Sequence, residues 1–254
     1  MPEGDTIHRI ARRIEDALVG RPLARAEAPN PRSPLHRRAG ELEGATIERA
    51  EARGKHLLLA LTGDRVLHNH LGIGGRWHVA TEGRLPRGRP WLLLVAPPGV
   101  AALNGSKLLR LTSAARARSD PVLAQLGPDP LAPDFDPGAA AARLLRWEPT
   151  EPVGAALLDQ RLLAGIGNVI RIEALHLAAV SPWRPVGELS EREASVLVDH
   201  GRRIMETTVR EGRRPKRIYG ALARRPCPRC GGTIRRHRQG DDNRVTYWCE
   251  DCQR

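Results

Sequence analysis

Ile7, Ile10, Ile14 and Leu18 recur at helical spacing with His8, Arg9, Arg12, Arg13, Glu15 and Asp16 between them, and Gly20 stands where a C-terminal cap belongs. This pattern predicts one amphipathic helix at the start of the chain. From residue 22 to about 112 the period changes to short apolar or alternating runs at 46–52, 56–61, 65–71, 77–81, 91–96 and 108–111, punctuated by Gly, Pro and Asp. Such spacing predicts strands of a β-sandwich or barrel-like domain. Residues 113–137 are rich in Pro, Asp and Ala, include LGPDPLAPDFDP, and read as an interdomain linker. Helical patterns then return at 138–147, 153–158, 169–178 and 191–211, the last opened by a Ser190/Glu193 capping box. The expected class is therefore α+β. Its expected division is an N-terminal helix with a β-sandwich at 1–115, a linker at 116–137, a helical domain at 138–220 and a small cysteine-bearing unit at 221–254.

Composition narrows what such a chain does. The 254 residues, 41% of them hydrophobic, can bury a sizeable core and divide into two units. A formal net charge of +12 favours a polyanionic partner, because each neutralised phosphate releases condensed counterions. Nucleic acid is the expected partner, although a basic ribosomal or membrane-surface protein would share this charge. No apolar run approaches the roughly 18 residues needed to cross a bilayer, and the opening MPEGDTIHRI lacks the charged and apolar regions of a secretory signal. The expected home is cytoplasmic, and the chain is expected to act as a monomer. Of 41 basic residues only Lys55, Lys107 and Lys216 are lysines, so each lysine is more informative than usual.

All four cysteines lie near the end of the chain, as Cys227-Pro-Arg-Cys230 and Cys249-Glu-Asp-Cys252 with 18 residues between the pairs. Each pair can set two thiolates at adjacent corners of a tetrahedron, which suits one structural Zn2+ in a reducing compartment better than disulfides. Four thiolates leave no open position for water or substrate. Gly231, Gly232 and Gly240, with the β-formers Thr233, Val245, Thr246, Tyr247 and Trp248, fit two strands and a turn between the pairs. Arg235, Arg236, Arg238 and Arg244 on that ribbon could meet a DNA groove, or the metal could merely fold a tail too small for its own core.

Between two helical patterns lies Ala164-Gly165-Ile166-Gly167-Asn168. Such a turn can aim backbone N–H groups and a helix N-terminus at a phosphate, with Asn168 as a further donor; it can equally be ordinary punctuation.

The MPEG start, the GIGNVIRIEAL turn and the C-terminal four-cysteine finger ending YWCEDCQ together resemble the formamidopyrimidine-DNA glycosylase and endonuclease VIII (Fpg/Nei) family, nearest to an actinobacterial Nei-type branch. RGKHLLL and HNHLGIGGRW fall where that family places comparable segments. The resemblance implies a helix-two-turn-helix within the helical domain, a zinc finger, no organic cofactor, and damaged DNA as partner. It implies a bifunctional glycosylase and abasic-site lyase of base excision repair. With the initiator Met removed, Pro2 would attack the sugar as a secondary amine. A terminal amine of pKa about 7.8 is partly neutral near pH 7.4, whereas a lysine at about 10.4 is almost wholly protonated. Glu3 would be the general acid/base. Lys55 and Arg244 would hold the phosphates flanking the lesion, Asn168 would bind backbone phosphate, and Glu173 would be a buried orienting carboxylate. Leu71 and Ile73, in the HLGIGG loop, are candidate wedges for the gap left by a flipped nucleotide, though core packing would explain either.

Two departures are visible. Asp5-Thr6 replaces the family's commoner Pro-Glu, and Ile170 replaces its turn tyrosine. Residues 210–219 also lack the long loop with which formamidopyrimidine glycosylases cap 8-oxoguanine, so oxidised pyrimidines are the expected substrates; the family resemblance further implies that the strand is then cut at the emptied sugar by β- and then δ-elimination. The competing expectations are an 8-oxoguanine/formamidopyrimidine preference, a weak or inactive damaged-DNA-binding protein, and a zinc-ribbon translation or transcription factor, which would explain the tail but not the MPEG start.

Overall fold

The computed structural model describes residues 2–82, 88–220, 226–240 and 243–254. Elements run in the order α1 (Gly4–Leu18), β1 (Arg25–Glu27), β2 (Ile47–Arg53), β3 (His56–Leu61), β4 (Arg65–His70), β5 (Arg76–Ala80), β6 (Leu92–Ala96), β7 (Gly99–Asn104) and β8 (Leu108–Ser113). Then come α2 (Ala114–Arg118), α3 (Pro121–Ala124), α4 (Pro137–Leu145), α5 (Val153–Ala156), α6 (Asn168–Ala178), α7 (Glu191–Glu211), β9 (Ile234–Gln239) and β10 (Arg244–Cys249). The chain divides into two units, Met1–Ala124 and Gln125–Arg254.

In the first unit, helix α1 buries the expected stripe of Ile7, Ile10, Ile14 and Leu18. That stripe packs with inward-facing residues of two four-stranded antiparallel sheets, ordered β1-β6-β7-β5 and β2-β3-β4-β8. Leu57, Leu59 and Leu67 line the core from one sheet and Leu92, Leu94 and Leu103 from the other. Each such side chain contributes about 1.5–3 kcal/mol by leaving water. Gly99 is required where β7 passes the end of α1: a Cβ there would lie 1.9 Å from the Ala17 carbonyl oxygen. Strands β1 and β7 were not expected. The first has three residues, and the second, Gly-Val-Ala-Ala-Leu-Asn, is buried on both faces up to its last residue and so shows no alternation.

The start of the expected linker belongs with this first unit. Ser113 caps α2 by accepting the Arg116 N–H, and the Asp120 carboxylate accepts the N–H groups of Val122 and Leu123 to cap α3. Asp120 also bonds Arg110 of β8, which fastens the segment to the sheet. Short polar caps, not an apolar period, make these helices.

In the second unit, Asp136 caps α4, and the Ser190/Glu193 capping box opens α7, which Gly212 ends in the left-handed conformation at φ 76. Helix α6 is buried from Asn168 through His176 and packs between α7 and β10. Residues 226–240 and 243–254 of the finger expected at 221–254 are described. Their antiparallel β9–β10 ribbon shares a small core with Ile172 of α6 and with Ile218. Residues 221–225 of that expected unit lie outside the described residues. Among the described residues no helix is long and apolar enough to cross a membrane.

Candidate active site and metal centre

Helix α1 holds the start of the chain in place. Glu3 is the N-cap residue of α1: its carbonyl oxygen accepts the N–H groups of Thr6 and Ile7 at 2.9 and 3.2 Å, and the residue is fully buried. Because the isoleucine stripe fixes α1 in the core, Pro2 is held directly ahead of the N-cap of a rigid helix, and it is itself half-exposed. Asp5 is also buried, with its carboxylate accepting the Thr6 N–H at 2.6 Å and the Thr6 hydroxyl at 3.2 Å. The Asp5-Thr6 departure therefore closes the first turn of α1 with a polar clasp. Met1 lies outside the described residues.

Lys55 occupies the two-residue turn joining β2 to β3, where Arg53 pairs with His56. Gly54 takes φ 57 at the first turn position, the conformation that a tight hairpin requires and glycine adopts without strain. The turn thus presents Lys55, half-exposed, on a short and stiff arm. The next hairpin places His70 beside His56, the Cα partner of His70.

The structure separates the two wedge candidates. Leu71 is 2% exposed and belongs to the first unit's core, so its side chain anchors the loop and is not available as a wedge. Ile73 is 71% exposed, the most open large apolar side chain among the described residues. Two glycines hold the loop: Gly72 has φ 68 with its Cβ position 2.9 Å from the Lys107 Cβ, and a Cβ on Gly75 would meet the Leu71 and Gly105 carbonyl oxygens at 2.5 and 2.8 Å. A large apolar group on a loop closed this tightly is presented to solvent in a defined place.

In the second unit, Gln160 staples the glycine turn. Its amide donates to the carbonyls of Leu158 and Ile166, and its oxygen accepts the Gly165 N–H at 3.0 Å. Asn168, first residue of α6, is buried, donates to the Val245 carbonyl at 2.8 Å and accepts from the Arg171 Nε at 3.0 Å. Arg171 is fully buried and also bonds Gly154 O, Gln239 Oε1 and Thr246 Oγ1, reaching both strands of the finger. Sequence reasoning missed Arg171, because one arginine among many in a helix carries no signal of burial.

Glu173, on the same helix, accepts the backbone N–H groups of Arg217, Ile218 and Tyr219 at 2.8, 3.1 and 2.7 Å. Burial raises its carboxyl above the ordinary range, and those three donors offset part of the rise. Glu173 therefore pins the segment after α7. Arg244 opens β10 opposite Gln239 and is half-buried.

The four cysteines form the only group of three or more His, Cys, Asp or Glu among the described residues that could hold a metal ion, with all four sulfurs within 4.8 Å of one another. Separations of 3.4–3.5 Å for three of the pairs approach the roughly 3.8 Å that four thiolates at 2.3 Å from a tetrahedral centre would show. Burial works against the Cys227 thiolate, but the backbone N–H groups of Arg229 and Cys230 together with hydrogen bonds from Cys252 and Cys249 outweigh it and bring its pKa to about 7. Burial and the neighbouring sulfurs push Cys252 up, as packing four thiols this closely requires.

Comparison with known proteins agrees with this geometry. Residues 1–107 match the formamidopyrimidine-DNA glycosylase N-terminal domain, and residues 126–218 match the formamidopyrimidine-DNA glycosylase H2TH domain. A probable endonuclease 8 2 of Streptomyces coelicolor is 40% identical, covering 100% of this chain and 94% of its own. The DNA-(apurinic or apyrimidinic site) lyase Nei2 of Mycolicibacterium smegmatis is 34% identical, covering 100% and 99%. Among solved structures, the Lactococcus lactis Fpg in complex with DNA containing an abasic site aligns with a TM-score of 0.84 at 26% identity over 99% of both chains. With both halves matched and relatives aligned along its whole length, the chain belongs to the Fpg/Nei family of DNA glycosylases.

Proposed function

We propose that this protein is a bifunctional DNA glycosylase and abasic-site lyase of base excision repair that excises oxidised pyrimidines, acting as a monomer with Pro2 as its nucleophile. The observation that carries the reading is the Pro2-Glu3 pair at the head of a core-anchored helix, in a chain of this family. The Pro2 nitrogen attacks C1′ of the damaged nucleotide and the base leaves with the glycosidic electron pair, taking a proton. Loss of the nitrogen's proton and opening of the sugar give a cationic imine between Pro2 and C1′. Glu3 supplies and receives the protons of ring opening and elimination. Abstraction of a C2′ proton expels the 3′ phosphate, a second elimination expels the 5′ phosphate, and water releases the sugar fragment and regenerates the amine. Lys55, Asn168 and Arg244 hold the DNA backbone, and Ile73 fills the gap left by the flipped nucleotide. Four thiolates from Cys227, Cys230, Cys249 and Cys252 would hold one Zn2+, which folds the finger and takes no part in the bond changes.

The pyrimidine preference rests on the short path after α7. The helix ends at Glu211, and Glu173 already pins Arg217 to Tyr219, so little chain is left there to enclose a purine lesion. The test is borohydride trapping on duplexes carrying thymine glycol, 8-oxoguanine opposite cytosine, or an abasic site. A covalent adduct whose peptide contains Pro2 at the chain start is expected, with thymine glycol processed faster than 8-oxoguanine. Full activity in protein that retains its methionine would overturn the nucleophile, and faster cleavage of 8-oxoguanine would overturn the substrate class.

A further inference from the structure

On the face of the second sheet opposite its core, three histidines and an arginine form a directed chain. Register puts His56 opposite His70, Leu58 opposite His68, and His68 opposite Arg110, so all of these share one face. A guanidinium only donates, so the 3.0 Å contact from Arg110 makes the His68 Nδ1 an acceptor. His68 must then carry its proton on Nε2, which lies 2.9 Å from the His56 Nδ1 and donates to it. The His56 ring meets the His70 ring edge-on, with centroids 4.8 Å apart. The His70 Nδ1 accepts the Gly72 N–H at 3.1 Å, leaving Nε2 as its donor. At the far end, Arg110 bonds Asp120, the carboxylate that caps α3. Both His56 and His68 are buried.

We propose that the chain Asp120–Arg110–His68–His56 is a positioning device that holds the His70 ring and the Lys55 turn in register for a DNA phosphate. This rests on the reading of Lys55 as a phosphate-holding residue. His56 directly follows Lys55 and pairs across the strands with His70, so the chain fixes the two hairpins against each other at the end where the lysine projects. Two of the three lysines in the sequence, Lys55 and Lys107, lie close enough to act on His70. The rings stay uncharged for reasons that agree with the bond directions. Burial, then His70 and His68, push His56 down to about 3; burial, then Arg110, push His68 to about 4; burial, then Lys107 and Lys55, push His70 to about 4. The charged groups facing them are Glu51 and Arg53 of β2, Lys55 in the turn, Lys107 and Arg110 at β8, and Asp120 ahead of α3. A neutral chain of fixed tautomers leaves the ammonium of Lys55 to meet the phosphate without an acid-dependent rival charge.

The experiment measures affinity of the full-length, metal-loaded protein for a duplex carrying a tetrahydrofuran abasic analogue between about pH 5.5 and 8.5, together with histidine ring NMR titrations and thermal midpoints. Lys55→Met should weaken binding about tenfold, and His68→Leu about fivefold, with little further loss when the two are combined. His68→Gln, whose amide can accept from Arg110 and donate to His56 at once, should restore affinity to within about twofold of wild type. In wild type the three rings should not titrate above about pH 5, whereas Arg110→Met leaves His68 facing Asp120 and should introduce a pH-dependent step in binding. Wild-type affinity in His68→Leu and Arg110→Met, with Lys55→Met still weak, would overturn the positioning chain alone, as would fully additive losses in the double variant. Wild-type affinity in Lys55→Met would overturn the phosphate reading beneath it.

Discussion

The side-chain amide of Asn168 donates to the carbonyl oxygen of Val245 at 2.8 Å, which ties the first residue of α6 to the residue directly after Arg244. Two positions that read in sequence as separate phosphate contacts are thereby joined mechanically. Asn168→Ala should remove a donor and also loosen the strand that carries Arg244, so its effect on DNA affinity should not add to that of Arg244→Ala. A double-mutant cycle on abasic-site DNA should give a coupling of about 0.5–3 kcal/mol, the range for residues sharing one network. Strict additivity would mean that the Val245 bond does not transmit position.

Leu71 and Ile73 stand two residues apart in one loop but differ in what removal should cost. Leu71→Ala empties a core site and should lower stability by about 2–5 kcal/mol. Ile73→Ala removes an exposed side chain and should leave stability within about 0.5 kcal/mol. If Ile73 fills the gap behind a flipped nucleotide, its loss should slow excision about tenfold, equivalent to about 1.4 kcal/mol of barrier, while lyase action on a preformed abasic site changes less. Thermal unfolding and single-turnover excision measured on both variants separate these effects. Unaltered excision by Ile73→Ala would remove it from the site.

Legibility in the sequence depends on physical range. The α1 stripe, the α7 capping box and the paired cysteines are local signals, set within a few residues, and each appears in the structure as read. Pairing register is not local. That His56 and His68 touch depends on two hairpins closing at particular turns, and no spacing along the chain announces it. Burial of polar residues was hidden from the residue pattern itself. Nothing along the chain marks Asp5 or Arg171 as buried, and the burial of Glu173 was expected only from the family resemblance. Strand β7 escaped because a strand covered on both faces has no polar alternation to reveal its period.

Removing the Zn2+ proposed for the four-cysteine site should unfold the ribbon and reach beyond it. Cys227 and Cys249 share a small core with Ile172 and Ile218, so loss of the metal-thiolate bonds should also loosen the packing of α6 at Ile172 and the segment pinned by Glu173. Structural zinc contributes roughly 10–16 kcal/mol of apparent binding energy, too much for so small a core to replace. Chelator-treated protein should release one zinc per chain, show faster hydrogen exchange across β9, β10 and residues 217–219, and lose DNA binding. Exchange in α1 and the two four-stranded sheets should remain slow. A ribbon that stays protected without metal would show that its fold does not depend on the cluster.

The start of α7 predicts a measurable acid sensitivity. The Arg184 guanidinium, 2.6 Å from the Glu193 carboxylate, acts first, then the Ser190 hydroxyl and N–H, and together they hold the Glu193 pKa at about 2. The unfolded chain titrates this group near 4.3. Because the folded value is the lower one, the stabilisation is fully present above the unfolded pKa and is lost as pH falls through about 2. The side chain is about a third exposed, so solvent screening cuts the contribution to about 1 kcal/mol. Glu193→Gln should therefore lower stability at pH 7 by about that amount and flatten the pH dependence of stability between about 4.5 and 2. Urea unfolding followed by far-UV circular dichroism across that window measures both. Equal slopes in wild type and variant would show that the capping box and its arginine do not hold the charged carboxylate in solution.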